Sequence, residues 1–186
     1  MDKSDSEIWR DFKTGDEDAF SLIYDTYFRT LCYYGRKFST DIELVKDCVQ
    51  DVFTELIHRR RKLSDTDNIQ FYLMRSVRRR IARQVNSAKV QFIEFSNDEI
   101  IAKNDIPIST DHKHQDEYVD SKIIKDAIKN LPGRQKEAIY LKYFFEFSNR
   151  EIADIMVLEY QSTSNLLQKA IKTLSGSIHQ QKLSLN

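Results

Sequence analysis

Residues 41–57 read DIELVKDCVQDVFTELI, and their spacing decides the fold. Leu44, Val45, Cys48, Val49, Val52, Phe53, Leu56 and Ile57 recur at three- and four-residue steps, which places them on one face of an α-helix. Asp41 precedes them where a side-chain cap belongs. On the opposite side Asp47, Asp51 and Glu55 stand four residues apart, a like-charge ladder that costs the isolated helix roughly a few tenths of a kcal/mol per pair. Either a basic partner offsets that cost, or the ladder is a solvated face with Glu55 paired to Arg59. Periodicity does not separate the two.

The same helical step extends outward in both directions. Upstream, Ile8, Trp9 and Phe12 share a short face that ends near Gly15, and Asp16 caps a longer helix carrying Phe20, Ile23, Tyr24, Tyr27, Leu31, Tyr34 and Phe38 on its core side. Downstream, the basic turn from His58 to Lys62 and the polar residues Ser64 to Asn68 read as a loop. A further helix begins near Asp67 or Asn68, with Ile69, Leu73, Val77, Ile81 and Val85 as its core side. Off that side Arg75, Arg79 and Arg83 align beside Arg78 and Arg80, with Phe71 and Tyr72 at the start. No Asp or Glu lies between Asn68 and Ala88 to pair with them. Arginine suits nucleic acid because its planar fork donates bidentately to phosphate and stacks on bases.

Charge is segregated along the chain. Its 186 residues carry 29 Lys and Arg against 29 Asp and Glu, yet residues 58–89 hold ten basic against two acidic residues, and residues 90–120 hold two against eight. Such a concentrated positive patch favours a polyanion, while acidic surroundings limit indiscriminate binding. Residues 89–120, interrupted by Pro107, lack periodicity and read as a flexible acidic linker with one short apolar element at Phe92 to Phe95. Four Gly and two Pro in the whole chain leave few of the breakers that strand-rich folds need. The expected architecture is all-α: two small helical domains, 1–88 and 121–178, joined by the linker 89–120, with a tail over 179–186.

The C-terminal segment resumes with Ile123, Ile124, Ala127, Ile128 and Leu131, breaks at Pro132-Gly133, and continues as a helix from Arg134 through Ala138, Ile139, Leu141, Lys142 and Phe145. Ser148 and Glu151 have capping-box spacing. They open a short helix with Ile152, Ala153, Ile155 and Met156, and another helix starts near Gln161 or Ser162, carrying Leu166, Leu167, Ala170, Ile171 and Leu174. This is a helix-turn-helix pattern in which the small Ala153 permits close approach. The second helix then offers Gln161, Ser162, Thr163, Ser164, Asn165, Gln168, Lys169 and Lys172 to a major groove.

Other chemistries find little support. Cys32 and Cys48 sit at apolar helix positions without Cys-x-x-Cys spacing and read as buried thiols. His112 and His114 lack a closing ligand set, so no metal or other cofactor is expected. No Gly-rich phosphate loop or acid constellation near a nucleophile suggests an enzyme. No apolar run reaches membrane-spanning length, and the acidic start is unlike a signal peptide, so the expected location is cytoplasmic.

Several of these stretches resemble the extracytoplasmic-function (ECF) sigma factors. Gly15-Asp16 with Ala19-Phe20 and Leu22-Ile23-Tyr24 is similar to the opening helix of sigma region two, and Asp47-Cys48-Val49-Gln50-Asp51-Val52-Phe53 to that region's D-x-x-Q-[ED]-V-F signature. The resemblance implies that Asp47, Gln50, Asp51, Val52, Phe53 and Glu55 bind core RNA polymerase at the beta-prime clamp. Tyr72 to Arg78 resembles the start of the helix that reads the minus-ten element, and Arg61 to Asn68 the loop that captures a flipped base. By resemblance Arg61, Lys62, Asn68, Tyr72, Arg75, Arg78, Arg79 and Arg83 contact the minus-ten strand. The family usually has Asn at the position of Arg79, and an acid or Asn at that of Arg83, which bears on base preference rather than on phosphate binding.

Leu131-Pro132-Gly133-Arg134-Gln135 is similar to the L-P-x-x-Q opening of sigma region four, and Ser148 to Leu174 to its helix-turn-helix. Arg134, Ser148 and the outward residues from Gln161 to Lys172 are then implied in reading the minus-thirty-five element. Leu166 stands where many members have Arg, which shifts the reading toward Ser, Thr, Asn and Gln contacts and DNA shape. Tyr160-Gln161-Ser162 with Asn165-Leu166 resembles members from Bacteroidetes-type bacteria. The implied partners are promoter DNA, core polymerase through its beta-prime clamp and beta flap, and an anti-sigma factor, a common inhibitor in the family. The rival reading is a stand-alone helix-turn-helix regulator, which predicts tight operator binding without polymerase.

Overall fold

The computed structural model describes residues 3–85 and 123–184, the last four of these by backbone alone. The linker read at 89–120, with Phe92 to Phe95 and His112 and His114, lies outside the described residues. The described chain is helical without a strand and divides into an N-terminal and a C-terminal unit.

In the N-terminal unit each helix starts at a side chain able to satisfy free N–H groups. Ser4 and Glu7 form a capping box on α1 (Asp5–Thr14), which ends at Gly15 in the left-handed conformation (φ 105°). Asp16 accepts from the N–H groups of Asp18 and Ala19 at the head of α2 (Glu17–Gly35). Asp41 accepts from Leu44 at the head of α3 (Ile42–Arg59). A single 3-10 turn, Arg60–Lys62, follows, and Asn68 then caps α4 (Ile69–Gln84) by accepting from Phe71. The Gly15, Asp16, Asp41 and Asn68 boundaries agree with the sequence reading.

The apolar stripes of these helices meet in one core of Trp9, Phe12, Ile23, Leu31, Tyr34, Val45, Val49, Leu56, Leu73, Val77 and Ile81. Gly35 lies where α2, α3 and α4 converge: a Cβ there would come within 2.7 Å of Val45 Cγ1 and 2.9 Å of Ile81 Cδ1. Phe20, Tyr24 and Phe28 of α2 gather around Phe53 of α3, with ring centroids 4.9–6.4 Å from it.

The C-terminal unit contains α5, described over residues 123–129, then α6 (Gly133–Tyr143), α7 (Asn149–Met156) and α8 (Tyr160–Ser184). α8 packs against both α6 and α7 and continues through residues 179–184, which the sequence reads as tail. Periodicity carries α6 on to Phe145, but the helix ends at Tyr143. Glu146 then takes positive φ (56°), and Phe147 rather than Phe145 enters the core. The Ser148–Glu151 capping box forms as read.

The turn between α7 and α8 is made by Val157, left-handed at φ 54°, ψ 57° and two-thirds exposed. A β-branched residue is strained in this region, whereas Asn enters it readily. Val157→Asn is expected to stabilise the C-terminal unit by about 1 kcal/mol, read as a shifted urea midpoint for that unit.

Candidate nucleic-acid interface

Arginines of α4 and the acidic ladder of α3 face each other across a cleft of about 220 Å³ lined by Glu55, Arg59, Tyr72, Arg75, Arg79, Arg80 and Arg83 among others. Arg59 donates to Glu55 at 2.8 Å, and the Arg80 guanidinium lies 3.7 Å from both Asp51 and Glu55. The hydrogen bond from Arg59, followed by the charges of Arg59, Arg80 and Arg83, holds the Glu55 carboxyl below the usual range. α4 has no acid of its own, so α3 supplies its counter-charges across the helix pair. These pairs are solvent-accessible and contribute less than about 1 kcal/mol each. Arg75 Nε is buried beside the cleft without a hydrogen-bond partner.

Not every residue expected at the minus-ten strand lines this cleft. Arg61, Lys62, Arg79 and Arg83 are exposed. Arg78 points elsewhere, its guanidinium 5.8 Å from the centre of the Phe38 ring. Asn68 uses its side-chain oxygen to cap α4. Tyr72 is half-buried with its ring 5.0 Å from that of Trp9, and desolvation raises its phenol, which therefore stays a neutral donor and stacking surface.

Asp47, Gln50, Asp51 and Glu55 form an exposed polar strip along α3. Val52 and Phe53 do not join it. At 5% and 3% exposure they belong to the core stripe, and a large partner cannot reach them without opening the helices. Burial thus removes Val52 and Phe53 from the polymerase-binding set that the family resemblance implies.

In the C-terminal unit, Gln161, Ser162, Asn165, Gln168, Lys169 and Lys172 are exposed on α8, with Gln161 Nε2 donating to Asn165 Oδ1 at 3.3 Å. Thr163 is a correction. It is fully buried, and its hydroxyl donates to the Glu159 carbonyl at 3.2 Å, so it lies on the buried side of α8 with Leu167 and Ala170 and offers nothing to DNA. Ser164 is half-buried, with Asn149 Nδ2 3.5 Å from its hydroxyl. Ser148 is exposed, but its hydroxyl serves the capping box. Arg134 is exposed in the first turn of α6. The sequence reading also missed two charged residues in the core, Lys136 and Glu137; the Lys136 ammonium donates to the Lys129 carbonyl at 2.7 Å.

The described residues contain no group of three or more His, Cys, Asp or Glu placed to hold a metal, and no helix long and apolar enough to cross a membrane. Both thiols, Cys32 and Cys48, are raised by burial.

A cationic cleft in one helical unit and a helix-turn-helix in the other coincide with two family matches. Residues 23–90 match Sigma-70 region 2, and residues 121–174 match Sigma-70, region 4. The chain is a sigma-70-type sigma factor. No curated protein matches it in sequence. Among solved structures, this sigma factor is similar to CnrH in complex with the cytosolic domain of CnrY (TM-score 0.58, 16% identity, 94% of this chain and 96% of that one). It is also similar to the sigma factor RpoE in complex with the anti-sigma factor NepR from Bartonella quintana (TM-score 0.51, 20% identity, 86% and 96%). At these identities the likeness is one of fold.

Proposed function

We propose that this sigma factor is of the ECF type, acts in the cytoplasm without catalysing a reaction, and brings core RNA polymerase to particular promoters. Asp47, Gln50, Asp51 and Glu55 dock on the beta-prime clamp. The loop from Arg61 to Asn68 and the arginine face of α4 hold the melted minus-ten strand, while the exposed residues of α8, with Arg134, read the minus-thirty-five element and region four meets the beta flap. The domain division is 1–88, 89–120 and 121–178. Two modest DNA contacts joined by a linker gain through effective concentration once polymerase fixes their spacing. An anti-sigma factor is a further partner, as in the RpoE complex. The Tyr160 to Ser162 and Asn165-Leu166 variant supports a Bacteroidetes-type origin.

The observation that carries this reading is the exposed acidic strip of α3 beside the cationic cleft of α4, two oppositely charged faces on one small unit. The test is capture of core polymerase by the purified protein, wild type against Asp47→Arg/Asp51→Arg, followed by run-off transcription. Two reversed charges at a docking face are expected to weaken capture at least about tenfold and abolish promoter-specific transcripts, with the thermal midpoint unchanged. Absence of core binding by the wild type, with tight salt-sensitive binding to duplex DNA alone, would favour the stand-alone regulator.

A further inference from the structure

Three side chains of α1 reach one distant loop. Asp5, Trp9 and Lys13 stand four residues apart and so share one side of the helix. The Trp9 indole N–H donates to the Ser64 carbonyl at 2.9 Å, the Lys13 ammonium pairs with the Asp65 carboxylate, and Asp5 Oδ2 accepts the backbone N–H of Ile69 at 2.8 Å. Together they fix both ends of the segment 63–68.

The anchors are themselves held. Trp9 is 1% exposed, between the rings of Phe12 and Tyr72 at 5.6 and 5.0 Å. The other oxygen of Asp5 lies 3.4 Å from the Tyr27 hydroxyl. Burial, reinforced by the Asp5 charge, pushes that phenol up to about 12, so it remains a donor. Within the loop, Thr66 Oγ1 donates to the Asn68 carbonyl at 3.2 Å and accepts the Asn68 N–H at 3.1 Å. A segment without a helix or strand of its own is thus tied at several points.

We infer that α1 is a positioning clasp, acting through Asp5, Trp9 and Lys13, that presets the loop 63–68 and so sharpens its choice of the unpaired minus-ten base. This rests on the proposed function, which makes that loop the base-capturing segment. The buried Trp9 does not touch DNA and acts through the Ser64 carbonyl. A preset loop does not have to be ordered when the base arrives, so loosening it lowers affinity for the preferred base more than for the others.

The test uses the full chain with core polymerase and two variants. Trp9→Phe keeps a ring against Phe12 and Tyr72 but removes the N–H, and Lys13→Met removes a surface charge. Hydrogen exchange reads the amides of residues 63–68, and selection from a pool of single-stranded oligonucleotides with a randomised hexamer reads base preference. Each variant is expected to speed loop exchange and to cut the preference ratio about three- to tenfold, with core affinity retained. Unchanged loop exchange in both variants overturns the clasp. Faster exchange with unchanged preference overturns its part in base choice. A wild-type complex that binds core but shows no base preference sinks the minus-ten reading and the part in base choice with it, while the exchange rates still decide whether α1 orders the loop. Should Trp9→Phe lower the thermal midpoint, Lys13→Met decides the outcome.

Discussion

Truncating Phe53 to alanine is expected to destabilise the N-terminal unit by about 3–5 kcal/mol, measured by urea unfolding. The ring is 3% exposed and lies 4.9 Å from Tyr24, with Phe20 and Phe28 completing its surroundings. Its removal leaves a cavity that these large neighbours, held on a single helix, cannot fill. A unit of this size is stable by only about 5–15 kcal/mol, so such a loss is a substantial part of the whole. Phe53→Leu, which keeps most of the volume, is expected to cost roughly 1–2 kcal/mol. Polymerase capture should then follow stability across the three proteins. If Phe53→Ala instead left stability intact while abolishing capture, Phe53 would return to the docking face.

Replacing Arg61, Lys62, Arg79 and Arg83 together by alanine is expected to weaken holoenzyme binding to a single-stranded minus-ten oligonucleotide on the order of a hundredfold at moderate salt. All four are exposed; Arg79 and Arg83 line the cleft, and Arg61 and Lys62 lie in the 3-10 turn that follows α3. Each phosphate contact on a single strand contributes about 0.7 to the slope of log affinity against log salt, so the slope should flatten by as much as about 2.8. Arg80→Ala is the contrasting variant. That guanidinium is already shared between Asp51 and Glu55, so its loss should alter the slope less than the loss of any one of the four. A quadruple variant with an unchanged slope would mean that the strand runs elsewhere.

Helix starts were legible because a cap is a local device: Asp16, Asp41, Asn68 and Ser148 each act within three residues of themselves. The stripe from Leu44 to Leu56 was legible because burial repeats with the helix. What failed to show depended on partners distant in sequence or on special backbone angles. Thr163 has the composition of a groove-reading residue, but it is fully buried on the inner side of α8 with its hydroxyl bonded to the Glu159 carbonyl. Phe147 replaces Phe145 in the core because Glu146 turns the chain with positive φ, which no periodicity reports. Arg80 finds its acids on another helix, and Trp9 finds the Ser64 carbonyl fifty-five residues away. Val52 and Phe53 belong to the stripe by periodicity, and only the family resemblance places them in the docking set.

Trp9 is the chain's single tryptophan, and its position has a practical side. Its indole is sealed from water in the N-terminal unit with its N–H engaged by the loop at Ser64, so selectively excited fluorescence comes from that unit alone and changes when the indole is wetted. Circular dichroism records the helices of both units. Following the two signals through one melt therefore separates the unfolding of the N-terminal unit from that of the C-terminal unit, with no label attached and no residue changed.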